Sequence, residues 1–267
     1  MAESDAAIGI FDSGVGGLTV FARVAEGLPD ESIIYLGDTA RVPYGTKSGE
    51  TVIRYAAGCA GVLVERGIKM LVVACNTASA HALESLRDKL DIPVLGVIAP
   101  GARCAVDLSA TGRIGVIGTA STIASKAYEE AILGMAPGAR VFSKPCPLFV
   151  PLAEEGWLHG TVPRQVAAAY LEELLHCDID TLVLGCTHYP LLRDVIQAAA
   201  GPDITLVDSA RATSLAVAET LNGLGLRRED PAPPRYIFLV TDAPDNFARV
   251  GERFLGRAIS PVEWVDV

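Results

Sequence analysis

Two cysteines of this chain are candidates for chemistry, because each follows a run of aliphatic residues and precedes a cluster of polar side chains. Cys75 ends the stretch MLVVAC, and Cys186 ends the stretch TLVLGC. Hydroxyl, amide and imidazole groups come next, in NTAS after the first cysteine and in THYP after the second. A cysteine that only fills a hydrophobic core needs no such neighbours.

A pair of thiols can invert a carbon centre. A thiolate is a competent base and a thiol a competent acid, and the ordinary thiol pKa of about 8.5 falls at a helix N-terminus. If one thiol lies on each side of a carbon atom with an acidic proton, one removes that proton and the other delivers a proton to the opposite face. The reverse reaction uses the same groups with exchanged roles.

Further polar residues could assist this proton transfer. Asp12 and His188 follow predicted strands and could tune the first and the second thiol, respectively. Neutral hydrogen-bonding groups for a carboxylate and an ammonium group come from Ser13, Asn76, Thr77, Thr119 and Thr187. No lysine lies in a phosphate-cradling glycine motif, which argues against pyridoxal phosphate, and we expect no cofactor.

The elements that must position these residues are short aliphatic runs separated by amphipathic stretches of helix length. Strands are predicted at 8–11, 32–36, 70–74, 93–97, 113–118, 140–142, 181–185, 204–207 and 236–240. This alternation predicts an α/β fold with parallel sheets and crossover helices. In such folds ligands bind at the carboxyl ends of the strands, which is where the polar residues lie. Both cysteines are expected directly before a helix.

The chain also contains two similar halves. IGIFDSGVGG resembles RIGVIGTAST, and LVVACNTASA resembles LVLGCTHYPL. The first aliphatic run begins 67 residues before Cys75, and its counterpart, from Ile114, begins 72 residues before Cys186. We expect two similar α/β units, with a crossing near residues 93–102, whose thiols face each other across a cleft. The residues alone do not say which unit the C-terminal segment joins.

Composition excludes several classes of function. The formal charge is −10 and the 22 lysines and arginines are scattered, so we expect no nucleic-acid partner. No signal peptide and no run of 18 apolar residues is present, so a soluble cytoplasmic protein without a membrane partner is expected. The six cysteines include no C-x-x-C pair, and disulfides are not expected in that compartment.

The residues give less support to two other kinds of site, a dinucleotide-binding loop and a zinc site. A dinucleotide loop in DSGVGGLT, with Asp38 as the ribose-binding acid, would need glycine where Thr19 stands. Its glycines more simply permit a close backbone approach. A zinc site could draw on His176, Cys177, Cys186 and His188, but adjacent residues at a helix end rarely both point inward, so no metal is expected.

Five motifs, in this order, carry a family resemblance: DSGVGG, GDTARVPYG, ACNTASA, CPLFVPL and GCTHYPLL. They resemble the signatures of the glutamate racemases, cofactor-independent enzymes that interconvert L- and D-glutamate for peptidoglycan precursors. The resemblance covers about residues 8–208. It implies two pseudo-symmetric, flavodoxin-like domains, residues 1–97 with 208–267 and residues 98–207. Their parallel sheets would be flanked by helices, and the active site would lie in the cleft between them.

The resemblance also implies roles for the two thiols. Cys75 would be the base for D-glutamate, with Asp12 beside it, and Cys186 the base for L-glutamate, with His188 beside it. Glu154, in VPLAEEG, matches an acidic position near the second thiol, although the adjacent Glu155 is an alternative.

Substrate contacts follow in the same way. The amino-acid head group would be held by Ser13, Asn76, Thr77 and Thr187. Tyr44 and Gly45, in PYG, would receive the side-chain carboxylate. A homodimer is expected, as is activity without the peptidoglycan-precursor activator, since only seven residues precede the first strand. The alternatives are an aspartate or hydantoin racemase, or an additional interaction with DNA gyrase, which no sequence feature favours.

Overall fold

The computed structural model describes residues 4–230 and 232–267, which form two parallel β-sheets flanked by helices. This confirms the predicted α/β class. The strands are β1 (Ile8–Asp12), β2 (Ile33–Gly37), β3 (Met70–Val73), β4 (Val94–Gly96), β5 (Arg113–Gly118), β6 (Arg140–Pro145), β7 (Thr181–Gly185), β8 (Thr205–Asp208), β9 (Tyr236–Val240) and β10 (Val262–Trp264). The helices are α1 (Leu18–Gly27), α2 (Gly49–Glu65), α3 (Asn76–Lys89), α4 (Ile98–Leu108), α5 (Ala120–Ala124), α6 (Ala127–Met135), α7 (Phe149–Glu154), α8 (Thr161–Leu175), α9 (Arg193–Ala200), α10 (Ser209–Leu224) and α11 (Pro244–Leu255).

The strand order shows the internal repeat that the sequence predicts. The second sheet has the order β6-β5-β7-β8, and the first contains the same order as β2-β1-β3-β4. Strands β9 and β10 extend the first sheet beyond β2, and every pairing in both sheets is parallel. Each cysteine of interest therefore follows the equivalent strand, β3 in one half and β7 in the other.

The central strands are aliphatic because helices cover both faces of each sheet. β1, β2, β3 and β7 are buried at every residue, as expected for parallel strands inside an α/β domain. One cluster of buried apolar side chains contains Ile10 and Val72 of the first sheet and Leu184 of the second. The two sheets thus share a continuous core beneath their carboxyl ends.

Two helices carry the chain between the sheets. α4 joins β4 to β5, and α10 joins β8 to β9. α10 packs along α4 and along α1, which anchors the return of the chain to the first sheet. The limits of the two domains stay a prediction.

The structure differs from the sequence prediction in two local elements. Strand β10 follows α11 and was not predicted, because three largely exposed edge residues leave little hydrophobic pattern. Cys186 is not followed directly by an α-helix, since a 3-10 turn over Tyr189–Leu192, with Pro190 in its first turn, precedes α9. Within the described residues, no helix is both long and apolar enough to cross a membrane.

Candidate active site

Parallel pairing places the two cysteines beside polar partners at the carboxyl ends of the sheets. β1 and β3 are neighbours, so Ser13 and Cys75 leave the first sheet side by side. β5 and β7 are neighbours, so Thr119 and Cys186 leave the second sheet side by side. The two halves thus present a hydroxyl and a thiol each to the same region.

Both thiols line one cavity between the sheets. Its volume is about 50 Å³, which holds only a few waters at about 10–15 Å³ each. All the predicted site residues line it except Asp12. The lining residues are Ser13, Gly14, Val42, Pro43, Tyr44, Gly45, Cys75, Asn76, Thr77, Thr119, Val150, Glu154, Cys186, Thr187 and His188.

Cys75 is the N-cap residue of α3, where its Sγ accepts a hydrogen bond from the backbone N–H of Ala78 at 3.4 Å. Burial and, after it, the nearby Asp12 carboxylate outweigh the lowering by the Ala78 N–H and Ser13 and raise the pKa of this thiol to about 12. Burial and a like charge therefore outweigh the helix N-terminus. At neutral pH Cys75 carries its proton.

Asp12 lies behind the cavity wall and is fully buried. Its Oδ2 accepts the backbone N–H of Gly14 at 3.0 Å, and its Oδ1 accepts the hydroxyl of Thr187, from the second sheet, at 3.5 Å. The pKa of the Asp12 carboxyl is raised above its ordinary value, because burial outweighs the lowering by the charge of His188 and by the N–H groups of Gly17 and Gly14. Asp12 thus connects the two halves electrostatically.

Cys186 has a different partner. Its Sγ lies 3.9 Å from Nδ1 of His188, and Nε2 of the same ring lies 2.9 Å from Oε1 of Glu154. Burial lowers the pKa of His188, but the hydrogen bonds and charges of Cys186 and Glu154 together outweigh it and raise the pKa to about 10. The ring is therefore an imidazolium at neutral pH, held between the sulfur of Cys186 and the carboxylate of Glu154.

At two glycines of the first half, the backbone lies so close to side chains of the second half that no Cβ atom would fit. A Cβ atom added at Gly16 would lie 2.3 Å from Oγ1 of Thr187 and 2.4 Å from Nδ1 of His188. A Cβ atom at Gly45 would lie 2.7 Å from Cβ of Thr119. The predicted reason for glycine in the DSGVGG loop, close backbone approach, is thus found at Gly16.

Comparison with known proteins identifies the family. The family model for Asp/Glu/Hydantoin racemase matches residues 8–217. The chain belongs to this family. A glutamate racemase of Geobacter metallireducens is 55% identical over 261 residues, covering 98% of this chain and 97% of the relative.

Two solved racemase structures have the same fold. A glutamate racemase isoform of Bacillus anthracis is 41% identical, superposes with a TM-score of 0.96 and covers 99% of both chains. The glutamate racemase of Francisella tularensis, solved in complex with D-glutamate, is 39% identical, with a TM-score of 0.92 and 98% coverage of both chains. The two-domain fold expected from the motifs is confirmed by these structures.

The racemase cavity distinguishes the two adjacent glutamates that the sequence left open. Glu154 is half-buried and contacts His188, whereas Glu155 is exposed at the C-terminal end of α7. Arg253 of α11 donates to the carbonyl oxygen of Glu154, and this hydrogen bond connects the end of α7 to a helix of the first half. Phe254 packs edge-on against the His188 ring, with centroids 5.4 Å apart.

Tyr44, which lines the racemase cavity, is hydrogen-bonded to the buried carboxylate of Asp38. The hydroxyl of Tyr44 donates to Oδ2 of Asp38 at 2.5 Å, and Thr241 of the loop after β9 donates to Oδ1 at 2.8 Å. Arg41 forms an ion pair with the same carboxylate. Asp38, considered above as a ribose-binding acid, is thus occupied by protein groups. The Tyr44 hydroxyl is thus bound to Asp38 and is not free to contact a ligand.

Several residues of the racemase site were not predicted from the sequence. Gly14, Val42, Pro43 and Val150 lie inside the quoted motifs and line the cavity, although none was singled out as a site residue. Thr122 joins the hydroxyls of Thr77 and Thr119, with all three Oγ1–Oγ1 distances at 3.0 Å. Membership of a motif could have found the first four residues. A contact across the cleft, such as that of Thr122, has no local sequence signal.

Other candidate sites lie apart from this cavity. A larger cavity of about 740 Å³ between α4 and α10 contains none of the predicted site residues. Its four arginines are largely offset by Asp107, Asp208 and Glu219. Cys177 is near the end of α8 and donates to the carbonyl oxygen of Glu173. In the described part of the chain, no group of three or more His, Cys, Asp or Glu residues could hold a metal ion.

Proposed function

We propose that this racemase interconverts L- and D-glutamate by proton transfer between the α-carbon and two thiols, Cys75 and Cys186. The observation that carries the proposal is that both thiols line a single small cavity between two equivalent strand ends. The 55% identity to a full-length glutamate racemase supports glutamate as the substrate.

The proposed reaction from L-glutamate begins at Cys186. Its thiolate removes the α-proton, and the Cys75 thiol delivers its own proton to the opposite face of the carbanion. The products are D-glutamate, a Cys186 thiol and a Cys75 thiolate, so atoms and charge balance, and the reverse direction exchanges the roles. The raised pKa of Cys75 supports its role as the acid in this direction, since the free protein holds its proton at neutral pH.

The charged neighbours differ according to the two roles. The His188 imidazolium, held by Glu154, stabilises negative charge at Cys186 before proton removal. Asp12 lies behind Cys75, where its negative charge favours the protonated thiol, so that Cys75 holds the proton it delivers in this direction. We assign both groups as assistants of their thiols.

Hydrogen-bond donors around the head group stabilise the carbanion. The first turn of α3 directs N–H groups and the side chains of Asn76 and Thr77 at the cavity, where a carboxylate is favoured. Ser13, Thr119 and Thr187 complete the head-group contacts in this proposal. The Tyr44–Gly45 wall receives the side-chain carboxylate, so substrate length is read by the distance from this wall to the thiols.

The biological setting follows from the proposed activity. D-Glutamate supplied by the enzyme would serve peptidoglycan synthesis and cell-wall biogenesis in the cytoplasm, without a cofactor. A homodimer is part of the proposal, and light scattering coupled to gel filtration measures it directly: a single species at the 28.0 kDa mass of one chain contradicts it.

The deciding experiment follows circular dichroism of L-glutamate, and separately of L-aspartate, incubated with chelator-treated protein in D₂O. Mass spectrometry of the separated enantiomers locates the deuterium. We expect the L-glutamate signal to decay, with deuterium appearing first in the D product while residual L substrate keeps its proton. No decay with glutamate overturns the proposal, and decay with aspartate alone reassigns the substrate.

A further inference from the structure

One buried polar atom at the cavity has no partner. Among the described residues, Nδ2 of Asn76 is the only fully buried side-chain nitrogen or oxygen without a hydrogen bond. Asn76 is 3% exposed and lines the cavity directly after Cys75. Buried donors are almost always satisfied, so an unpaired one at a cavity calls for an acceptor on a ligand.

The other end of the same amide is fixed by Tyr128. The hydroxyl of Tyr128 lies 2.7 Å from Oδ1 of Asn76 and donates to it. Tyr128 belongs to α6, beside the second sheet, whereas Asn76 begins α3, beside the first. The hydrogen bond therefore crosses the cleft between the two halves.

The direction of this hydrogen bond follows from the chemistry of its two atoms. Burial raises the pKa of the phenol, so the hydroxyl keeps its proton, and the amide oxygen of Asn76 can only accept. An amide held by Oδ1 must turn its NH₂ group away from Tyr128, towards the cavity.

The ring of Tyr128 has little freedom to move. A Cβ atom added at Gly185 would lie 3.1 Å from Cε2 of the ring, and one added at Gly101 would lie 3.2 Å from its hydroxyl. The backbone of β7 and of α4 therefore approaches the ring at side-chain distance. A tyrosine held this tightly can keep one orientation of the amide that it contacts.

We infer that Tyr128 is a positioning residue, which holds the Asn76 amide so that Nδ2 donates to the α-carboxylate of the substrate. The inference rests on the proposed function and deepens it. The α-carboxylate is the natural acceptor because Asn76 adjoins Cys75 at the N-terminus of α3, next to the carbon that loses its proton. The donor is presented only when α6 lies against α3, so the head-group site is complete only with the two halves together.

The test measures KM and kcat for racemisation, and glutamate affinity by calorimetry, in four variants: Tyr128→Phe, Asn76→Ala, Asn76→Asp and the double Tyr128→Phe, Asn76→Ala. We expect Tyr128→Phe to raise KM by about 3- to 10-fold, because the freed amide can turn its oxygen towards the carboxylate. Asn76→Asp places a carboxylate opposite a carboxylate and should raise KM by about 100-fold. In the Asn76→Ala background, Tyr128→Phe should change KM by less than about 2-fold.

A matched control is Tyr170→Phe, which removes another tyrosine hydroxyl beside the second sheet, one bonded to the backbone N–H of Leu148, and should leave KM unchanged. An unchanged KM in Tyr128→Phe, or an equal loss in the Asn76→Ala background, overturns the inference. Tighter glutamate binding by Asn76→Asp also overturns it, because the amide oxygen would then face the substrate ammonium. This arm decides the matter even if Tyr128→Phe does not fold.

Measurements on the wild-type protein distinguish a failure of the proposed function from a failure of the role inferred for Tyr128. If it neither binds nor racemises glutamate, the proposed function fails and this inference fails with it. If it racemises glutamate and Tyr128→Phe behaves like wild type, only the inference fails.

Discussion

The two thiols lie at equivalent strand ends but in opposite electrostatic surroundings. Cys75 follows β3 and caps α3, and burial together with the Asp12 carboxylate behind it raises its pKa to about 12. Cys186 follows β7 and has the imidazolium of His188 beside it, held by Glu154. The strand order around both is the same. A repeated fold has therefore been given one anionic and one cationic flank.

The repeated strand order thus determines where the two thiols lie, whereas the neighbouring side chains determine the charges that surround each thiol. Two identical flanks would leave both thiols in the same protonation state, and a one-step exchange of a proton across a carbon needs an acid on one face and a base on the other. The surroundings here favour a proton on Cys75 and place a cation beside Cys186. The following experiments are ways to remove or sharpen that asymmetry.

The largest effect is expected from replacing either thiol. Cys75→Ser and Cys186→Ser should each lower racemisation by about 10²- to 10⁴-fold, because serine is a far weaker acid and base at neutral pH. The remaining thiol still acts on its own face. In D₂O, Cys75→Ser should exchange the α-proton of L-glutamate only, and Cys186→Ser that of D-glutamate only.

The exchange is read by mass spectrometry of each recovered enantiomer. Cys104→Ser, in α4 and away from the cavity, is the matched control and should retain full activity. Exchange of both enantiomers by one single variant would mean that one thiol serves both faces, which contradicts the two-flank comparison.

Smaller losses, about 10- to 100-fold in kcat/KM, are expected from removing either charged neighbour in Asp12→Asn or His188→Asn. Since the enantiomers have equal free energies, kcat/KM must fall equally in both directions. The asymmetry appears in isotope effects instead. His188→Asn should enlarge the effect for L-glutamate deuterated at the α-carbon, and Asp12→Asn that for the D enantiomer.

Initial rates with protiated and deuterated substrates measure these effects. Asp245→Asn, an exposed carboxylate at the start of α11, serves as the control for loss of one negative charge. Equal isotope effects in the two active-site variants would show that neither neighbour belongs to one thiol.

The reactivity of Cys75 gives a more direct view of its flank. Alkylation by iodoacetamide requires the thiolate, and the raised pKa makes Cys75 slow to react at pH 8. Asp12→Asn removes the second-largest cause of that raised pKa, so the reaction should accelerate by about 3- to 10-fold. Peptide mass spectrometry follows Cys75 alone, with the half-buried Cys104 as the internal reference. An unchanged rate would mean that burial alone sets the protonation of Cys75.

Much of this arrangement was predictable from the sequence, because it depends on local pattern. Aliphatic runs of strand length gave β5, β7 and β9 with the limits observed. The motifs at the strand ends gave the polar lining residues of the cavity except Tyr44 and Glu154, which came from the family resemblance. Parallel sheets bring the carboxyl ends of neighbouring strands together, so the strand assignment already implied that Cys75 and Ser13 would lie together.

What the sequence did not predict depends on how the two halves meet. Tyr128 lies 52 residues from Asn76 and contacts it only because α6 faces α3 across the cleft. Asp38 was identified as a strand-end acid, but its partners Tyr44 and Thr241 come from segments about 200 residues apart. The 3-10 turn after Cys186 was missed because Pro190 is compatible with the first turn of either helix type.

The smallest expected effect is a pH dependence of stability that comes from the cationic flank. His188 has a pKa of about 10 in the folded protein, above its ordinary value near 6.5, so the folded state binds the proton more tightly than the unfolded state. Its contribution is fully present below about pH 6.5 and is lost as the pH rises towards 10.

We expect wild-type stability to fall by about 1–3 kcal/mol more than that of His188→Asn between pH 6.5 and 9. Urea unfolding at each pH measures the difference, and subtracting the His188→Asn curve removes the titrations that both proteins share, including that of Cys75. Cys186→Ser removes one of the two groups that raise the pKa of His188, so its curve should lie between those of wild type and His188→Asn. Parallel curves for all three proteins would show that folding does not raise the pKa of the ring, which contradicts a cation stabilised beside Cys186.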